Sequence, residues 1–302
     1  MSFGKLEGAI KKFPDSVPGL LYDEPLSCHT SFRIGGPADV FALPKTAEEL
    51  LHIHTECTLH EIPFTILGDG TNVLVLDGGI RGVVVSTKHM DGFEVSPSGR
   101  IWAAAGVKLS KLSEAAWKNS LQGLEFASGI PGTVGGAVYM NAGAFGGEIG
   151  DFVESVTVYE NGAKNLSKTD LGFGYRKSVL QELNALVLDV RLVLEKGSKD
   201  EIRSKMNELG RKRKESQPLD AFSAGSTFKR PEGGFAAELI DKSGLKGFSV
   251  GGAMVSKKHA GFIVNTGNAS AKDVIGLMEI VKQKVFSDSG VVLCPEIKIL
   301  GE

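Results

Sequence analysis

Cysteine is scarce in this sequence, and the three present, Cys28, Cys57 and Cys294, are odd in number and far apart. Such spacing supports neither a disulfide framework nor a zinc knuckle, so free thiols are expected. An excess of either charge is also missing: 34 Lys and Arg face 36 Asp and Glu, a net charge of −2. Without a global basic field, the expected partner is a small molecule rather than nucleic acid. No segment approaches the roughly twenty apolar residues of a membrane span. The opening MSFGKLEGAIKKFPDS lacks the continuous apolar run of a secretory signal. A cytoplasmic protein with no membrane partner is therefore expected. Missing motifs narrow the chemistry further. There is no G-x-x-x-x-G-K-[ST], and both "GDGTNV" (68–73) and "GFGYRK" (172–177) lack the third glycine of a dinucleotide fingerprint. P-loop and Rossmann chemistry are thereby set aside.

What is present is ordinary for a globular chain: 302 residues, 42% hydrophobic and 23% charged, enough for one large or two to three smaller domains. The pattern is α+β. ADVFAL (38–43), PFTILG, VLVL and GVVVST read as strands, with a helix opening at Thr46. Ser98-Gly99 and Asn161-Gly162 signal hairpins, ALVLDVRLVLE is a long alternating strand, and a helix runs through Leu109, Leu112, Ala116 and Trp117. Ser198 with Glu201 makes a capping box for the charged helix SKDEIRSKMNELGRKRKES, which Pro218 stops. That helix is the expected boundary between an N-terminal body and a smaller C-terminal part. The latter holds the short helix FAAELIDKSG, a helix from Ser270 to about Phe286 and a final strand VVLCPEIKIL.

Within "HIHTECTLH", His52, Glu56 and His60 share a helical face, a spacing compatible with zinc. That face lies opposite Leu50, Leu51 and Cys57, so a solvated polar surface is expected and no metal is assigned. The run Arg211 to Lys214 reads either as a solvated helix end or as a phosphate contact. Seven of the 23 residues from 126 to 148, "FASGIPGTVGGAVYMNAGAFGGE", are glycine, and none is Lys, Arg or His. Tight turns are one reading. The other is a surface against which something large must lie close to the main chain. A second small-residue stretch, 66–85, places Gly68, Gly70, Gly78 and Gly79 around Thr71 and Asn72. Two such loops can present backbone N–H nests to a diphosphate.

Seven blocks occur in order from about Leu26 to Glu302: "HTSFRIGGPADVFALP", "LGDGTNVLV", "SGIPGTVGGAVYMNAGAFGGE", "FGYRKS", "SAGSTFKRP", "SKKHAGFIVN" and "PEIKILGE". In that order the chain resembles the MurB family, the UDP-N-acetylenolpyruvoylglucosamine reductases of bacterial peptidoglycan synthesis. The resemblance implies an FAD-binding domain of the p-cresol-methylhydroxylase type in residues 1–197, with its core at about 30–195. A linking helix 198–210 and a C-terminal α+β substrate domain 211–302 would follow. It implies non-covalent FAD at Gly68, Gly70, Thr71, Asn72, Val73, Thr133, Gly136, Ala142, Gly143 and Arg213, and a catalytic set of Arg176, Ser226 and Glu296. Lys229, Arg230 and His259 are the expected contacts of the substrate's diphosphate. The implied partners are a UDP-sugar enolpyruvyl ether and NADPH, sharing one pocket with ping-pong kinetics, on a monomer. Reducing such an ether puts charge beside its carboxylate. An arginine and a protonated glutamate suit that charge, and a serine would deliver the proton. Glu296, on an apolar strand beside Cys294 and Ile297, is expected to have a raised pKa. Two departures stand out. Lys298 replaces an arginine frequent in the family, and the chain lacks room for the insertion, with its substrate tyrosine, that marks the longer subtype.

Overall fold

The structure, a computed structural model, describes residues 19–183 and 185–302. The opening MSFGKLEGAIKKFPDS, on which the absence of a secretory signal was read, lies outside them. Contacts divide the chain into two compact units. Unit 1 takes in Ala42–Asp69 and Val85–Arg213, and unit 2 takes in Leu21–Phe41, Gly70–Val84 and Lys214–Glu302.

Unit 1 is built on a five-stranded antiparallel sheet. Its strands run in the spatial order Ala163–Ser167, Val153–Tyr159, Leu186–Val193, Arg100–Ala104, Phe93–Val95. Register follows the apolar alternation: Val156 faces Val190, and Val190 faces Ala103. All three are completely buried, because a period-2 pattern sends one face of every strand into the core. Among the described residues this part holds the α-helices α1 (Ala47–Leu59), α2 (Leu109–Lys118), α3 (Val134–Met140) and most of α4 (Lys199–Ser216). Leu109, Leu112 and Ala116 of α2 and Val134, Ala137 and Val138 of α3 join the sheet residues in one core. Thr46 caps α1 by accepting the Glu49 N–H at 3.2 Å, and Ser198 accepts the Glu201 N–H at 3.4 Å at the start of α4. The chain passes from unit 1 to unit 2 within α4, after Arg213.

Unit 2 packs α5 (Ala236–Lys242) and α6 (Ala271–Ser289) with a small antiparallel sheet, Ser249–Val250, Ala253–Val255 and Ile263–Asn265. Val274, Leu277, Val281 and Val285, one stripe of α6, are fully buried in its core. Two early stretches belong here through backbone pairing: Leu21–Pro25 with Pro37–Ala42, antiparallel, and Val73–Val75 with Lys298–Leu300, parallel. Of the expected final strand VVLCPEIKIL only Lys298–Leu300 is regular. Pro295 cannot donate to a ladder, so the segment before it pairs only at isolated positions.

The cysteines behave unequally. Cys28 and Cys294 are exposed, whereas Cys57 is 1% exposed in the apolar face of α1 with Leu50 and Ile53. Burial, and after it the Glu56 carboxylate, pushes the Cys57 thiol up to about 12. Titration with a chromogenic disulfide at pH 8 should therefore show two fast thiols, with a third only after denaturation. Three fast equivalents in the native protein would contradict this packing. On the same helix His54 is edge-on to Phe64 and Tyr159, and His60 lies 3.6 Å from Glu56. Among the described residues no three His, Cys, Asp or Glu side chains gather to hold a metal ion.

Candidate active site

In unit 1 the glycine-rich stretch is not an open loop. Its middle is helix α3, capped by Thr133, whose hydroxyl accepts the Gly136 N–H at 3.3 Å. The amides of Val134, Gly135 and Ala137 donate to Val107, Ala105 and Thr133 carbonyls at 2.8, 2.8 and 2.9 Å. These four donors are spoken for inside the protein and are not offered to a diphosphate. What the stretch offers instead is missing side chains. A Cβ on Gly68 would stand 2.5 Å from Thr133 Oγ1, which brings the two predicted small-residue motifs into contact here. A Cβ on the exposed Gly136 would meet only Thr133 Oγ1, at 3.5 Å.

Helix α3 ends at Asn141, in the left-handed region at φ 44°. The chain then forms a tight ribbon in which Gly143–Ala144 pairs with Gly147–Glu148. Phe145 and Gly146 turn its tip at φ 54° and 90°. Ala142 anchors the ribbon's start, donating to Ala137 O at 2.8 Å and accepting from Ile149 at 2.9 Å. Arg213, 8% exposed on α4, places its guanidinium 5.6 Å from the Phe145 ring centroid, and burial pushes its pKa below the ordinary arginine value. This takes Arg213 out of the solvated-helix-end reading. Arg176 donates from Nη2 to Gly143 O at 3.0 Å, tying "FGYRKS" to "MNAGAFGG". Its backbone sits at φ 53°, which costs a long side chain about 1–2 kcal/mol.

Unit 2 gathers five of the seven blocks. Ser31 donates its N–H to Gly70 O at 3.0 Å and its hydroxyl to Ser223 O at 2.7 Å. Lys298 donates to Asn72 O at 2.9 Å, and Val73 pairs with Lys298. Asn72 Nδ2 reaches Glu296 O at 3.4 Å. Glu296 N–H donates to Thr227 O at 2.9 Å and Lys229 N–H to Cys294 O at 2.8 Å. Thr227 N–H donates to Gly261 O at 2.8 Å, and Ser226 bridges Phe262. Thus "GTN", "PEIK", "GSTF" and "HAGF" lie side by side as one backbone-bonded ribbon. Glu296 is half-buried and precedes the regular strand, between exposed Pro295 and buried Ile297, rather than within an apolar strand as expected. His259 Nδ1 accepts the Gly261 N–H at 3.2 Å, which leaves the ring proton on Nε2. Burial, aided by the charge of Lys246, lowers the pKa of His259, so the ring is neutral near pH 7. Arg230 is exposed, over the Phe235 ring at 4.3 Å. Nothing in the sequence pattern marks Asn141 or Gln181. Their carboxamides donate to backbone carbonyls they meet only in the fold, Gly174 O for Asn141 and Arg176 O and Tyr139 O for Gln181.

Among the described residues no helix is long and apolar enough to cross a membrane. Residues 38–164 match the profile of an FAD binding domain, and residues 217–300 that of the UDP-N-acetylenolpyruvoylglucosamine reductase C-terminal domain. The chain is 52% identical to the UDP-N-acetylenolpyruvoylglucosamine reductase of Caldanaerobacter subterraneus subsp. tengcongensis, over 94% of this chain and 95% of the relative. It is 50% identical to that of Clostridium novyi, over 91% and 90%. It superposes on the crystal structure of UDP-N-acetylenolpyruvylglucosamine reductase (MurB) from Thermus caldophilus with a TM-score of 0.81 at 38% identity, covering 94% and 98% of the two chains. The expected α+β class, an FAD-binding domain followed by a second α+β domain, is borne out. Matched along nearly its whole length, the chain belongs to the UDP-N-acetylenolpyruvoylglucosamine reductase family of flavin-dependent oxidoreductases.

Proposed function

We propose that the protein reduces UDP-N-acetylglucosamine enolpyruvate to UDP-N-acetylmuramate for peptidoglycan synthesis in the cytoplasm, as a monomer, with NADPH as reductant and non-covalent FAD as carrier. The observation that carries this reading is the ribbon of unit 2, which sets Asn72, Glu296, Ser226 and the His259 turn on adjacent bonded segments. Domain assignment follows the same reading, with FAD binding centred on residues 30–195, a linking helix at 198–210, and substrate binding at 211–302.

The residues fit FAD on one test of the structure: among the described residues a Cβ on Gly136 would meet only Thr133 Oγ1, at an ordinary contact distance of 3.5 Å, which leaves room over this exposed glycine. Glycine inside a helix costs up to about 1 kcal/mol relative to alanine, so an occupant that needs this space accounts for it. We assign cofactor contacts to Gly68, Gly70, Thr71, Asn72, Val73, Thr133, Gly136, Ala142, Gly143 and Arg213. Bound there, FAD would relay hydride from NADPH to the enolpyruvyl double bond. The remaining work falls to side chains. Arg176 and Glu296 stabilise charge developing beside the substrate carboxylate, the kind of preorganised donation that usually dominates catalysis. Ser226 delivers the proton. Lys229 and Arg230 supply cations for the diphosphate, and His259, being neutral, contributes its Nε2–H as a hydrogen-bond donor rather than a charge.

The test is anaerobic mixing with NADPH, which should bleach the flavin, followed by the enolpyruvyl substrate, which should restore its absorbance. Arg176→Lys and Glu296→Gln should keep FAD and bleach normally while recovering slowly, because a lysine lacks the fork that matches a carboxylate. Near-normal recovery in Arg176→Lys would make Arg176 structural.

A further inference from the structure

Arg176 occupies an awkward place. Gly174 and Lys177 exchange N–H···O bonds of 3.0 Å in both directions, closing a four-residue turn around Tyr175 and Arg176. Arg176 is the third residue of that turn, at φ 53°, a position where turns with positive φ ordinarily require glycine. A bulky residue stays in such a conformation only when its surroundings over-determine it. The surroundings here are two carboxamides. Asn141, 1% exposed, donates from Nδ2 to Gly174 O at 2.9 Å and to Glu148 Oε2 at 2.6 Å, while its Oδ1 accepts the Gly150 N–H at 3.0 Å. Gln181 donates from Nε2 to Arg176 O at 3.0 Å and to Tyr139 O at 2.9 Å.

We infer that Gln181 is a positioning residue for the reaction: its carboxamide fixes the peptide plane that follows Arg176, and so the left-handed backbone from which the guanidinium is presented. The inference rests on Arg176 acting on the substrate. The geometry separates positioning from simple bracing. Ser178 Oγ already donates to Tyr139 O at 2.8 Å, so this segment stays tied to the end of α3 without Gln181. The bond to the Arg176 carbonyl is what Gln181 adds. Its loss frees Arg176 to relax to negative φ, swinging the guanidinium away from Gly143 O. Displacing a reacting or stabilising group by about 1 Å can cost up to about 100-fold in rate.

The experiment compares Gln181→Leu, Arg176→Ala and the double variant as FAD-loaded enzymes, with the two half-reactions followed by stopped-flow absorbance. Gln181→Leu should retain FAD content and NADPH bleaching within about twofold and slow recovery by the enolpyruvyl substrate at least about tenfold. Its crystal structure should show Arg176 outside the left-handed region. The double variant should recover no more slowly than Arg176→Ala alone. Bleaching slowed as much as recovery, an Arg176 still at positive φ, or a further loss in the Arg176→Ala background would each overturn the inference. Normal recovery in Arg176→Ala would instead overturn the reading of Arg176 on which it rests. Should Gln181→Leu fail to fold, Gln181→Glu, of equal length but without a donor when ionised, is read by the same criteria.

Discussion

Ser226→Ala is expected to keep its FAD and bleach normally with NADPH, yet to recover flavin absorbance at least about a hundredfold more slowly when the enolpyruvyl substrate is added. Two hydroxyls stand side by side at this point of the ribbon. Thr227 is 2% exposed and its Oγ1 accepts the Ile263 N–H at 3.1 Å, so it is held to the strand beside it. Ser226 is half-buried, and among the described residues its hydroxyl makes no hydrogen bond. A serine is a weak acid and protonates only a strongly basic enolate, with its own charge relieved by a neighbouring cation or relay. Lys229, three residues on, is the nearby cation in sequence. Ser226→Cys should regain part of the rate, since a thiol is also a proton donor. Equal slowing of bleaching and recovery, or slowing of neither, would remove Ser226 as donor and direct attention to His259.

The second large effect is expected at Gly136, with its neighbour Gly135 as control. A Cβ on buried Gly135 would stand 3.0 Å from both Cβ and O of Ala105. Gly135→Ala should therefore destabilise the fold by about 1–3 kcal/mol, the usual cost of overpacking. Gly136 has the opposite profile. Alanine there has room and a better helix propensity, so the apoprotein should be as stable as wild type or up to about 1 kcal/mol more so. Leucine at Gly136 should also leave a folded apoprotein, while its side chain occupies the space we assign to FAD. Overpacking of that order corresponds to about a 10- to 100-fold weaker Kd for FAD. Thermal unfolding of the apoproteins and the flavin-to-protein ratio after reconstitution separate the two effects. A Gly136→Leu protein that purifies with full FAD would show that the space is not the cofactor's. Collapse of the apoprotein would show that the space is needed by the fold.

Much of the architecture was legible from local patterns, because caps, turn residues and apolar periodicity act within a few residues. Thr46 and Ser270 announced α1 and α6, and Ser270 indeed shares a reciprocal capping box with Asp273. Asn161-Gly162 marked its hairpin, and both residues take positive φ there. Helix α3 was not legible, since Gly135 and Gly136 argue against a helix and only the Thr133 cap and the packing of Val134, Ala137 and Val138 outweigh them. The seven ordered blocks identified the family. Their arrangement was settled by contacts no local pattern records. Parallel pairing of Val73–Val75 with Lys298–Leu300 joins segments more than two hundred residues apart, and such pairing is specified by packing rather than by any turn between the partners. The same holds for the left-handed Arg176, an arginine where local preference asks for glycine, held by hydrogen bonds to carbonyls that Asn141 and Gln181 reach only once the chain has folded.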